Sequence, residues 1–201
     1  MSAARVRVLH ATSGNMYGGL EVLLATVARH RDAVPGLEHR FAVCFEGRHA
    51  DELRALGATV DILGPVRMSR PWTVLRARRA FRRVLAEARP SALICHGTWP
   101  HSLFTREVRR AGIPSIFWQH DMHGREHWLD RHASRTPTDL AIAASRASAS
   151  TTGFLFPGIE PAIIPCPVAA PEPIADREAL RAAIRRELGT PDDAVVLLQA
   201  S

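Results

Sequence analysis

The stretch Val6-Arg7-Val8-Leu9-His10-Ala11-Thr12-Ser13-Gly14-Asn15-Met16-Tyr17-Gly18-Gly19-Leu20-Glu21 decides the fold. It opens with a short apolar run over residues 6–10, breaks at a glycine-rich loop, and passes into residues 20–30, where apolar side chains recur at helical spacing. A strand feeding a helix through such a loop is the first half of a βαβ unit. Five more apolar runs, 40–45, 59–63, 92–95, 115–118 and 140–143, follow with helix-period segments between them. That alternation predicts an α/β fold, a Rossmann-like doubly wound parallel sheet with helices on both faces.

Outward from this unit, residues 74–88 read as a crossover helix with Phe81 and Leu85 inward and Arg76, Arg79 and Arg83 outward. Residues 101–111 read as another, closed by Gly112 with Pro114 beyond. Between 157 and 173 six prolines, Pro157, Pro161, Pro165, Pro167, Pro171 and Pro173, leave no room for a regular helix or central strand and read as a linker. Residues 176–188 then read as a helix stopped by Gly189, and 194–200 as a buried strand with nothing after it. The expected organisation is a Rossmann-like domain over 1–160, a proline-rich linker over 161–175, and over 176–201 the first helix and strand of a truncated second domain. No internal repeat is present.

Hydrophobic residues at 46% and charged residues at 23% are globular proportions, so the chain should fold around a core. The formal charge of +6 comes from arginine, since there is no lysine, and favours anionic partners. Nucleic acid is not among those expected: recognition motifs are lacking and aromatics, at 6%, are not interleaved with the basic residues. Three cysteines, Cys44, Cys95 and Cys166, imply no disulfide framework and point to a reducing cytosol. The first residues lack the pattern of a secretory signal, and no segment has the ~20 apolar residues of a membrane span. The expected location is cytoplasmic, either free or peripheral on the inner face of the membrane. For the arginine-bearing helix face from Arg76 to Arg83 two readings stand: a solvated surface, or a basic patch on anionic lipid.

In open α/β sheets ligands bind at the carboxyl ends of the strands, so the loops there are the places to look for chemistry. The Gly18-Gly19 loop opens a helix, whose free N–H groups and dipole attract phosphate, although the same pair also suits a tight turn. It matches neither Gly-x-Gly-x-x-Gly nor a P-loop. The fourth run ends in His96-Gly97-Thr98-Trp99-Pro100-His101, and the fifth leads into Gln119-His120-Asp121-Met122-His123-Gly124-Arg125-Glu126-His127. His120, Asp121, His123 and His127 are all possible metal ligands, but their spacing fits no established metal motif, and no metal is expected. Ser145, after the sixth run, is either a helix cap or a ligand contact, and no Gly-x-Ser-x-Gly elbow is present.

Taken together, these loops resemble family 4 glycosyltransferases, retaining enzymes of the two-domain GT-B kind. The resemblance rests on Gly18-Gly19-Leu20-Glu21 as a Gly-Gly-x-Glu loop, on the histidine loop from His96 to His101, and on His120-Asp121 closing a strand. It continues through Thr138-Asp139-Leu140-Ala141-Ile142-Ala143-Ala144-Ser145, like the family's "ad-x-v-i-a-x-S", and the proline-bounded linker, and so spans nearly the whole chain. Two features depart from the pattern. Pro165-Cys166-Pro167-Val168-Ala169 stands where the family has Pro-Asn-Gly-Val-Asp, and the Glu-x7-Glu region of the donor-binding domain lies outside these residues.

The resemblance implies transfer of a sugar from a nucleotide-sugar donor, with retention, to a saccharide or lipid-linked acceptor in cell-surface polysaccharide or glycolipid synthesis. No cofactor beyond that co-substrate is implied, and the fragment alone should be inactive. It implies that His120 is catalytic and that Gly18 and Gly19 bind the donor diphosphate. Asn15, Met16, Tyr17, His96, Trp99, Asp121, Ser145 and Arg146 are candidate acceptor contacts. The competing expectation is a non-catalytic α/β module that binds an anionic sugar or phosphate.

Overall fold

The computed structural model describes residues 5–124, 126–168 and 173–199. Two compact units divide the chain, Met1–Val168 and Ala169–Ser201. The first is built on seven strands: β1 (Val6–Thr12), β2 (Leu37–Val43), β3 (Thr59–Ile62), β4 (Ala92–His96), β5 (Ser115–Gln119), β6 (Leu140–Ala143) and β7 (Ala162–Ile163). Every pairing is parallel and the order is β3-β2-β1-β4-β5-β6-β7. The chain steps outward from β1 to β3, crosses back, and continues from β4 in the other direction. The switch point therefore falls between β1 and β4, where an open sheet leaves a crevice at its carboxyl edge.

Helices cover both faces. On one lie α1 (Gly19–Arg29) and α2 (Arg48–Ala55), which bury Leu24, Ala28 and Leu53 around Phe41. On the other lie α3 (Pro71–Ala88) and α4 (Thr98–Arg110), with Ala77, Phe81, Val84, Leu103, Phe104 and Val108 packed on Leu9, Ala11, Leu93 and Cys95. The buried positions of α3 recur every three to four residues, and Pro71 starts it where a missing N–H costs nothing. Its arginines Arg76, Arg79 and Arg83 are exposed as expected, beside exposed Trp72 and Leu75. α4 begins three residues before the predicted start, because Gly97 (φ 87°) turns the chain directly from strand into helix. α5 (Trp128–Ala133), α6 (Arg146–Ala149) and α7 (Thr152–Leu155) are short turns around the β5 and β6 loops.

Two expectations need correction. The proline-rich stretch does hold a strand, since β7 forms a two-residue edge between Pro161 and Pro165, an edge being where proline is tolerated. In the second unit α8 (Arg177–Glu187) forms where predicted, but 194–199 is not a strand: Val195, Leu197 and Leu198 are largely exposed. Apolar continuity gives a strand only where a neighbouring strand takes up its backbone groups, and among the described residues of that unit there is none. Residues 169–172 of the expected linker and Ala200 of the expected strand lie outside the described residues.

Candidate active site at the switch point

The loop after β1 is shaped by Gly14, not by the Gly18-Gly19 pair. Gly14 has φ 76°, and a Cβ there would stand 3.1 Å from the Cβ of Val43. Gly18 is extended and Gly19 is the first residue of α1, and a Cβ at Gly19 would meet nothing within 4 Å. The pair is therefore not demanded by backbone geometry, and its effect is to leave the start of an eleven-residue helix bare. The Gly18 N–H donates to the buried carboxylate of Glu21 at 2.9 Å, half of a capping box. The Gly19 N–H, in the first turn, has no partner within the helix.

Of the other loop candidates, Asn15 and Met16 are exposed at the carboxyl edge. Tyr17 is engaged by α2: its hydroxyl donates to Glu52 at 2.5 Å, and the Arg48 guanidinium lies 3.7 Å from its ring centroid. It ties the loop down rather than offering a free face. Trp99 belongs to α4 and packs partly buried on the α3–α4 core, the sheet face opposite the histidines described next. The structure does not bring it beside His120.

His96 and His120 do meet, and they belong to a longer row. His39 Nδ1 lies 2.9 Å from His10 Nε2, His10 Nδ1 2.9 Å from His96 Nε2, and His96 Nδ1 3.1 Å from His120 Nε2. Cys166 Sγ closes the row at 3.8 Å from His120 Nδ1. The rings are near-parallel along much of it, at 19° between His10 and His96 and 17° between His96 and His120. Register explains the assembly. His10 is paired with Phe41, two residues after His39; it is also paired with Ile94, two residues before His96, and His96 is paired with Trp118, two residues before His120. Strand periodicity puts all four on the α1 face. Burial holds them neutral: it pushes His10 down to about 3 and His120 to about 4, and lowers His96 and His39 as well.

Gln119, which the sequence reading passed over, organises the β5 loop. Its amide donates to the Asp121 and Ser148 carbonyls and to Thr151 Oγ1, and its carbonyl accepts from the Thr152 hydroxyl at 2.7 Å. This fixes the chain on either side of His120. Asp121 is exposed and lines a groove of about 690 Å³ with Thr98, Met122, His123, Glu126 and Phe154. His123 gives Nδ1 to Asp130 at 3.2 Å, while His120 is bound to His96, so these two histidines serve different partners. His101 is a structural residue: its Nε2–H donates to the Thr136 carbonyl and Nδ1 accepts from Thr105, with burial lowering it to about 4. Ser145 is the N-cap of α6, its hydroxyl accepting from the Ser148 N–H at 3.0 Å, and Arg146 beside it is exposed. Buried polar atoms without a hydrogen-bond partner gather at the same edge: Thr12 Oγ1 at the end of β1, both ring nitrogens of His49, and Trp118 Nε1 beside the row.

A seven-stranded parallel sheet covered by helices on both faces, with a switch-point crevice between a bare helix start and a neutral histidine, defines a Rossmann-like α/β domain with a candidate ligand site at its carboxyl edge. The family model of glycosyltransferase family 4 matches residues 17–170, most of the chain, which therefore belongs to that family. Its fold is similar to that of Anabaena Alr3699/HepE, solved with UDP and glucose (TM-score 0.65, 17% identity, covering 92% of this chain and 50% of that one). It is also similar to a glycosyltransferase from Rickettsia africae (0.67, 12%, 94% and 51%) and to the lipopolysaccharide outer core galactosyltransferase WaaB (0.65, 14%, 85% and 49%). The chain spans about half the length of these structures. No curated protein sequence matches it.

Proposed function

We propose that this chain forms the acceptor side of a glycosyltransferase that moves a sugar from a nucleotide-sugar to a saccharide or lipid-linked acceptor with retention, in cell-surface polysaccharide or glycolipid synthesis. One observation carries the reading. The N-terminus of α1, with two glycines the backbone does not require, and His120, held neutral at the end of its row, stand on the same carboxyl edge of the sheet. HepE, of the same fold, has been solved with UDP-glucose, which supports a nucleotide-sugar donor.

In this reading the Gly19 amide and the α1 dipole face the donor diphosphate, whose negative charge grows as the glycosidic bond breaks. Gly18 joins them when Glu21 releases its N–H. His120, neutral at working pH, offers a hydrogen bond or its main-chain carbonyl to the oxocarbenium-like sugar without placing a like charge beside it. Asn15, Met16 and Asp121, exposed at that edge, are the acceptor contacts the geometry favours. The chain alone gives no turnover, and transfer requires a donor-binding half. No metal takes part in the reaction.

Contact with anionic membrane is the better reading of α3: Trp72 and Leu75, 65% and 54% exposed, share its outer arc with Arg76, Arg79 and Arg83. That mixture suits a headgroup interface.

The test joins this chain to a donor-binding half and compares His120→Ala with the parent. kcat should fall at least about a hundredfold, as when one transition-state donor is lost, the melting temperature should hold, and the product anomer should match the donor. Loss of folding in step with activity would remove His120 from the chemistry. Sugar or phosphate binding without transfer in the parent would favour the non-catalytic module.

A further inference from the structure

The row of histidines permits fewer arrangements of its protons than four separate rings would. A neutral imidazole carries one N–H and one bare nitrogen, and each ring-to-ring link needs one of each. If His10 carries its proton on Nδ1, it donates to His96 Nε2 and must accept at Nε2 from His39. His96 then carries its own proton on Nδ1 and donates to His120, which must carry its proton on Nδ1. If His10 is protonated on Nε2, every assignment reverses. Two states satisfy all three links, all-Nδ1–H and all-Nε2–H, and burial excludes charged intermediates as stable alternatives.

The two ends open on different places. His39 is half-buried and lines a groove of about 320 Å³ at the amino ends of β2 and β3, among Arg31, Asp32, Glu38 and Thr59. His120 sits at the carboxyl edge with Nδ1 toward Cys166. The titratable neighbours are His49 of α2 beside His96, and Asp121 and His123 beside His120.

We propose that His39, His10, His96 and His120 form one proton relay through the sheet, in which the hydrogen bond made at His39 decides which nitrogen of His120 carries the proton at the crevice. His39, His10 and His96 are then positioning residues for His120. Passing from the first state to the second, His39 Nε2 takes a proton from water in the groove, each linking proton crosses its own hydrogen bond, and His120 Nδ1 releases one to an acceptor at the crevice. One proton enters and one leaves, no ring turns over, and every ring is neutral before and after. In the first state His120 presents a donor beside Cys166, and in the second an acceptor. The relevance of the relay to transfer rests on the role given to His120 above; its existence does not.

The experiment uses the 201-residue chain labelled with ¹⁵N at histidine, without donor or acceptor, because two-bond proton–nitrogen correlations distinguish an N–H from a bare ring nitrogen. His39→Arg supplies a fixed donor to His10 Nε2, and His39→Glu a fixed acceptor. In His39→Arg the Nδ1 signal of His120 should be of the protonated type, and in His39→Glu of the bare type, with Nε2 showing the converse. The same His120 pattern in both folded variants overturns the proposal. Repeating the pair in a His10→Phe background, where the new ring still faces Phe41, should abolish the difference. If the difference persists with the row cut, the influence travels elsewhere and the relay is refuted; if that background does not fold, the first comparison decides. Because no turnover is read, failure here leaves the transferase reading standing, and an inert His120→Ala in the transfer assay leaves the relay standing.

Discussion

Acidification should unfold this domain unusually early, and the histidines set the amount. His10, His96, His101 and His120 are each pushed below the ordinary 6.5 by burial, three of them to about 3 or 4. A histidine whose native pKa is depressed binds fewer protons folded than unfolded, so its contribution is complete above about pH 6.5 and is lost as pH falls toward the native value. Between about pH 7 and about pH 5 the unfolded chain gains protonation worth roughly 2 kcal/mol per such residue. The three at about 3 or 4 sum to roughly 6 kcal/mol, with His96 acting in the same direction, against the roughly 5 to 15 kcal/mol that hold a typical domain together. Carboxylates act lower on the scale: Asp139, held down by the Ser115 N–H, loses its contribution only below its ordinary 3.8. Urea denaturation followed by tryptophan fluorescence over this range is the assay. With a slope of roughly 2 to 3 kcal/mol per molar, the midpoint should drop by roughly 3 M. A midpoint that moves less than about 1 M by about pH 5 would refute the reasoning, because the rings would then be protonated or hydrated inside the folded domain.

Gly19→Leu should fold at least as well as the parent, since the site is open and a helix gains up to about 1 kcal/mol on losing a glycine, yet its turnover in the transfer assay should fall about a hundredfold. Unchanged kinetics there would mean that the glycines do nothing for the donor. Chelator treatment should leave transfer intact, and a complete loss reversed by zinc would restore His120, Asp121, His123 and His127 as a metal set. The chain should co-sediment with phosphatidylserine vesicles at low salt, and Arg76→Glu with Arg79→Glu should abolish that; equal sedimentation by parent and variant makes α3 an ordinary solvated face.

Parallel strands buried on both faces read as continuous apolar runs, which is why six of the seven strands and the β1–α1 unit were legible in the sequence. α2 was not, because Arg48–Ala55 buries only His49, Ala50 and Leu53, too few for an apolar stripe. Residues 194–199 misled by the same logic that served elsewhere, since apolar continuity signals burial only where a paired strand exists. At the site, His96 and His120 stand out at strand ends. His10 and His39 do not, because a histidine inside a strand looks like any polar alternate until the register sets it beside its partners. The packing of Trp99 was not legible for a related reason: its loop stands out in the sequence, but that α4 sets the ring partly buried against the α3–α4 core is a tertiary fact.

A single sheet face carrying four imidazoles where leucine or phenylalanine would pack is a local inconsistency that a purely structural element would not need. Buried polar groups stabilise a fold only when fully satisfied, and a half-satisfied network is worse than an apolar one. Here the inner rings are satisfied, but by one another, so the row is stable in its neutral form and vulnerable to acid. A row that began and ended in the core would be packing with a liability. This one begins at a surface groove lined by charged residues and ends at the crevice edge, so what distinguishes it from an apolar core is delivered at His120. The acid lability and the state of His120 are thus two consequences of one arrangement, and removing the first by replacing the inner histidines with apolar residues should also remove control over the second.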